Sequence, residues 1–170
     1  MPEHRSTVDA GPKPVQALFR EQKRLADGVT MSKPKSLKVV AGPYTFDARL
    51  EWDLAPKTCA AFVERLPFAS KIIHVRWSGE GVWMPLGDMD FGVGYENNTS
   101  YPSAGQIILY PGGVSETEIL LAYGCVNFAS KAGQLSGNHF ITLTTGIENL
   151  YTLGRMVLLQ GQKDIRFDAA

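Results

Sequence analysis

IHVRWSGEGVWMPLGDMDFGVGYENNTSYPSAGQIILYPGGVSETEILLAYG, residues 73–124, is the stretch whose reading decides the fold. Apolar runs at residues 72–77, 106–110 and 119–123 alternate with clusters of glycine, proline and asparagine. That alternation predicts short strands joined by tight turns. The polar side chains His74, Arg76, Glu80, Glu96, Asn97, Glu116 and Glu118 lie beside those turns, which makes them the first candidates to line a pocket.

Upstream, YTFDARLEWD sets Phe46, Ala48, Leu50 and Trp52 in strict alternation with Asp47, Arg49, Glu51 and Asp53. A period of two predicts a strand with one buried and one wet face. Pro56 opens a helix, because proline is pre-organised for the first helical position. Cys59, Phe62, Val63 and Leu66 then fall at helical spacing, and Pro67 ends the run. Downstream, residues 128–137 read as a polar, glycine-containing loop and HFITLTT as another strand. Ile147, Leu150, Tyr151, Gly154 and Leu158 mark the apolar stripe of a second helix, and KDIRFD closes the chain as a strand able to pair with the N-terminal hairpin. Seven or eight short strands with two helices predict a mainly β fold, a closed antiparallel β-barrel capped at its ends.

The 170 residues suit one domain with a single sizeable core. Seventeen basic and seventeen acidic side chains cancel, so no nucleic-acid or membrane partner is expected. No apolar run reaches the roughly 18 residues that span a bilayer. The opening MPEHRSTVDAG has no apolar core of a secretory signal. Cys59 and Cys125 are too few for a disulfide framework, and both are expected to be reduced packing residues in a cytoplasmic chain. Residues 1–36 carry seven basic against four acidic side chains and only a thin apolar face, which predicts a mobile N-terminal arm before a domain at 37–170. Met31 is the expected natural start of translation.

EWDLAPKTCAAFVERLP resembles the second strand and first helix of cyclophilins. RWSGE, YENNTSYP, YPGGVSETEIL and GNHF together resemble a bacterial family of unknown function with a cyclophilin-like barrel, over residues 37–167. The resemblance implies a fold and not an activity. Cyclophilins place an arginine on the strand after the first helix, then a phenylalanine and a Gln-Gly-Gly run. Arg76 matches the arginine, but GEGVWMPLGD stands in place of the rest, so prolyl isomerase activity is not expected.

A second barrel family offers a competing pattern. His74-x-Arg76-x3-Glu80-x6-Gly87 and Gly105-x5-Pro111-x-Gly113-x2-Glu116 resemble the two metal motifs of cupins, with arginine and glutamate in place of two histidines and Leu120 in place of the final asparagine. His74, Glu80 and Glu116 would offer one nitrogen and two carboxylates to a divalent metal. Arg76 would repel that cation and is better suited to holding a ligand carboxylate through two parallel hydrogen bonds. No metal and no cofactor is therefore assigned.

Plainer readings stand beside these. His74 has the strand parity of a half-buried histidine satisfied by a neighbour. His139 alternates with Ile141 and Leu143, which puts it on an apolar face as a satisfied core histidine. Glu116 and Glu118 follow the YPGG turn as a solvated strand end, or stand at a barrel mouth. Asn97, Asn98 and Thr99 favour a turn. Trp77, Trp83 and Tyr101 are expected in the core or in a pocket wall. The favoured function is recognition of a small polar or anionic metabolite in a pocket of the central strands, with its conversion left open and with His74, Arg76, Glu80, Glu96, Asn97, Tyr101, Glu116, Glu118 and His139 as the candidate ligand-binding residues. Arg76 would anchor an anionic group, and His74 with a glutamate would handle protons. The alternative class is a non-catalytic assembly module, with homo-oligomer contacts through YENNTSYP and YPGGVSETE.

Overall fold

The computed structural model describes residues 33–170. Nearly all of the expected N-terminal arm, and Met31 with it, lies outside the described residues. The elements run β1 (Ser36–Ala41), β2 (Tyr44–Leu50), α1 (Pro56–Val63), β3 (Phe68–His74), β4 (Gly79–Pro85), β5 (Asn98–Thr99), β6 (Gln106–Tyr110), β7 (Glu118–Val126), β8 (Ala129–Ser130), β9 (Gly133–Gln134), β10 (Gly137–Leu143), α2 (Leu150–Gln160) and β11 (Lys163–Ala169). A single 3-10 turn, Ile147–Asn149, leads into α2.

Eight strands form a closed antiparallel barrel in the order β2-β1-β11-β3-β4-β7-β6-β10. The ring shuts where β10 pairs with β2, Ile141 opposite Leu50 and Leu143 opposite Ala48. The closing strand KDIRFD lies against β1, as its composition predicts, and its other edge takes β3. In β2 the alternation holds throughout: Phe46, Ala48 and Leu50 are buried while Thr45, Asp47 and Arg49 are exposed. Closure leaves the barrel strands no unpaired edge at this seam.

The wall made by β6 and β7 departs from simple alternation. Ile107, Leu109, Ile119 and Leu121 point into the main core. Their neighbours Ile108, Tyr110, Leu120 and Ala122 are buried too, in a second cluster with Val75, Val126, Phe128 and Leu135 on the other side of the wall. A strand buried on both faces reads as a continuous apolar run, which is what IILY and ILLAY are. The outer cover is the stretch expected to be a polar loop. Phe128 and Leu135 anchor it, joined by a Leu135 N–H to Phe128 carbonyl bond of 2.9 Å, and β8 and β9 form a small hairpin between them.

The two helices pack into the same main core from different strands. Helix α1 buries Thr58, Cys59, Ala61, Phe62 and Val63 and ends at Val63, before Leu66. Helix α2 buries Leu150, Leu153, Gly154 and Val157. This corrects the stripe read from the sequence, because Ile147, Tyr151 and Leu158 are exposed. Gly154 does permit a close approach: a Cβ there would stand 2.3 Å from the Tyr123 ring. No helix among the described residues is long and apolar enough to cross a membrane.

Candidate functional site

A depression of about 290 Å³ opens on the outer face of the barrel wall. Its floor is the outward side of β4 and β7, where Trp83 lies opposite Leu120 and Glu118 opposite Pro85. Arg76 and Trp77 approach from the turn after β3, Val114 and Glu116 from the segment before β7, and Lys131 from the β8–β9 turn. The YPGG sequence shapes one rim. Gly112 and Gly113 take φ of 93° and 118°, and the buried Tyr110 hydroxyl accepts the Val114 amide at 3.1 Å.

Three of the nine candidate residues, Arg76, Glu116 and Glu118, meet in this pocket. Glu116 is exposed and accepts the Gly87 amide at 3.0 Å, tying two rim segments together. Glu118 is only 7 % exposed. The ion pairs among the described residues are Arg49–Glu51, Lys71–Asp164 and Arg166–Asp168, so none joins the pocket's charges to one another. The indole Nε1 of Trp83 is buried without an acceptor among the described residues, a condition that costs about 1–3 kcal/mol.

Burial, and secondarily the charge of Glu116, pushes the Glu118 carboxyl up to about 7 from an ordinary 4.5. The sign of the linked stability change follows. Below pH 4.5 the group is neutral folded and unfolded; between 4.5 and about 7 only the unfolded chain releases the proton, so stability falls as pH rises. Glu118→Gln is therefore expected to leave stability unchanged at pH 4 and to raise it by about 1–3 kcal/mol at pH 8. Urea unfolding at both pH values measures this; an equal effect at the two would show that Glu118 is not held near-neutral by burial.

The other six candidates lie outside the pocket lining, and each has a partner within the protein. His74 points to the barrel interior. Its Nδ1 is 2.8 Å from the Val75 carbonyl, which only accepts, so Nδ1 carries the proton and Nε2 accepts the Tyr123 hydroxyl at 2.8 Å. Burial, then the Glu80 and Tyr151 charges, raises the Tyr123 pKa, with Arg155 opposing. Glu80 accepts the Cys125 amide at 2.8 Å where β7 bulges against β4. Glu96 accepts the Thr58 amide at 2.6 Å, in the first turn of α1. Asn97 takes a left-handed φ of 45° and donates to the His139 carbonyl. Tyr101, expected in core or wall, is 63 % exposed and accepts a hydrogen bond from Gln134.

His139 corrects a parity argument. A bulge between His139 and Ile141 makes Phe140 the extra residue, so His139 does not share the face of Ile141. It lies beside Thr142, whose hydroxyl donates to Glu51. Burial lowers the His139 pKa, against the pull of the Glu51 carboxylate. The cupin-like set is dispersed as well, since His74, Glu80 and Glu116 each bind a different part of the chain. No group of three metal-ligating side chains occurs among the described residues. Cys59 is a buried thiol pushed up to about 12 by burial and then by Glu96, whereas Cys125 is exposed and is not a packing residue.

Sequence reasoning missed Lys131, because residues 128–137 read as a solvated loop. The signal was the pair Phe128 and Leu135 bracketing that stretch. It also missed Asn138 and Thr58, both fully buried.

The family described as "Protein of unknown function (DUF3830)" matches residues 37–169. The chain belongs to this family. The barrel also has solved structural neighbours. The structure of McbB in complex with tryptophan superposes with a TM-score of 0.59 at 16 % identity, over 78 % of this chain and 44 % of McbB. The chain thus spans less than half the length of McbB. The solution structure of a hypothetical protein from Archaeoglobus fulgidus gives a TM-score of 0.55 at 14 % identity, over 84 % of this chain and 99 % of that one. At such identities the likeness concerns the fold alone. No curated protein matches the sequence.

Proposed function

We propose that this domain binds a small polar, anionic metabolite in the outer-face pocket, on a barrel of the cyclophilin-like kind put to a use other than prolyl isomerisation. One observation carries the reading: Arg76 and the nearly buried Glu118 line one small depression without an ion-pair partner among the described residues, against the indole of Trp83. Burying an unpaired carboxyl is costly, and sites that tolerate such a cost are disproportionately functional. A volume of about 290 Å³ limits the ligand to a small molecule. Arg76 grips the anionic group, and Glu118, poised near neutrality, accepts or donates a hydrogen bond. The assembly-module alternative has less support, because the glutamates of YPGGVSETE turn toward this pocket.

Native mass spectrometry of freshly purified protein, followed by calorimetric titration of small carboxylates, tests the proposal. Tryptophan, the molecule named with McbB, belongs among the probes. Arg76→Lys is expected to weaken carboxylate binding by about 1.5–3 kcal/mol, since lysine keeps the charge but loses the planar fork. Full affinity in Arg76→Lys would sink the anion pocket.

A further inference from the structure

The pocket's charges are mixed, and that mixture narrows the ligand. Two cations, Arg76 and Lys131, and two carboxyl groups, Glu116 and Glu118, come from three separate segments to one depression. An anion-only site would gain nothing from the glutamates, because each repels the bound charge. Glu118 is the more telling of the two. Glu116 is exposed and already serves the Gly87 amide, but the Glu118 carboxyl has no hydrogen-bond donor among the described residues and, on a residue only 7 % exposed, opens on the depression. Apart from Ser78, Ser115 and Ser130 the remaining wall is apolar, with Trp77 and Trp83 its large surfaces.

From this arrangement we infer that the ligand is a zwitterion with an apolar body, of the kind a free α-amino acid with a hydrophobic side chain presents. Its carboxylate meets Arg76 and Lys131, its ammonium meets Glu118 with Glu116 behind it, and its body lies against the indoles. The ammonium supplies the buried carboxyl with the donor it lacks. The glutamates discriminate, since a ligand with a carboxylate but no ammonium leaves Glu118 unpaired and faces its repulsion. The inference rests on the proposed anion pocket and goes one step past it.

Three probes of nearly equal shape separate the two readings: phenylalanine, 3-phenylpropionate, which lacks the ammonium, and phenethylamine, which lacks the carboxylate. They are titrated into the full chain at pH 8, where Glu118 is ionised. Phenylalanine is expected to bind at least tenfold more tightly than either half-molecule. Glu118→Gln, checked for folding by circular dichroism, is expected to bring the ratio of phenylalanine to 3-phenylpropionate affinity toward one. Arg76→Lys is expected to weaken both carboxylate-bearing probes and leave that ratio in place. Equal binding of phenylalanine and 3-phenylpropionate to the wild type overturns the zwitterion while the anion pocket stands. Tightest binding of phenethylamine, or no binding by any probe, overturns both. A ratio unchanged in folded Glu118→Gln overturns the role given to Glu118.

Discussion

Phe62→Ala is expected to lower the unfolding free energy by about 3–5 kcal/mol, the usual range for removing a large aromatic side chain from a core. Phe62 is fully buried. Its ring stands 5.3 Å from that of Phe68, 5.1 Å from Phe140 and 5.2 Å from Phe167, so one side chain of α1 bridges β3, β10 and β11. Three of these contacts are lost together, and neighbours fixed on paired barrel strands cannot collapse into the space. Domains of this size have about 5–15 kcal/mol in all, so the variant should be marginal. Guanidinium unfolding gives the value, and a loss under 1 kcal/mol would mean that the packing of α1 contributes little to holding the barrel together.

The helix carrying Phe62 was legible because Cys59, Phe62 and Val63 follow a strict 3.6-residue spacing after Pro56. Strand β2 was legible for the same kind of reason, since one face is wet and the period of two survives in the sequence. The second helix was harder. Leu150, Leu153, Tyr151, Leu158 and Leu159 are all apolar, so pattern alone does not choose a face, and the structure buries Leu153 while leaving Leu159 70 % exposed. His139 was misplaced because a bulge shifts the strand parity, and nothing local in GNHFITL announces it.

The pocket was half legible. Arg76, Glu116 and Glu118 stand out as charges at the ends of apolar runs, and they do converge. The other polar candidates look identical in sequence, yet each is engaged elsewhere in the scaffold, Tyr101 by the Gln134 side chain and His139 by the Thr142 hydroxyl. Glu80 binds the Cys125 amide and Glu96 the Thr58 amide. Whether a carboxylate opens on the depression, as Glu118 does, or turns to a backbone amide, as Glu80 and Glu96 do, is fixed by long-range register, and Glu116 does both. The segment around Phe128 and Leu135 likewise folds over the outer wall and brings Lys131 to the depression that Glu118 lines, a juxtaposition of distant positions that no local pattern encodes.

Asn138 shows how costly such hidden scaffolding is to disturb, and its removal is the second large effect expected. Its amide is fully buried, with Oδ1 accepting the Glu96 amide at 3.0 Å and Nδ2 donating to the Thr58 hydroxyl at 3.0 Å and the Gly94 carbonyl at 2.8 Å. The same Glu96 supplies the carboxylate for the first turn of α1, whose cap residue Ala55 has no side-chain oxygen to offer. Asn138→Ala leaves the Glu96 N–H and the Gly94 carbonyl without partners, each costing about 1–3 kcal/mol, and the expected total is about 3–5 kcal/mol. Asn138→Asp keeps the shape and the acceptor but loses both donors, and it places a buried charge near Glu96. Its folded-state pKa should therefore be raised above the unfolded value of roughly 3.9, so its penalty should grow as pH rises above that value. In the protonated form the same side chain can still donate one hydrogen bond. Chemical denaturation of the two variants at pH 4 and pH 8 distinguishes the network from simple packing. Packing alone predicts an Asp variant as stable as wild type at both pH values, whereas the network predicts a deficit that is larger at pH 8.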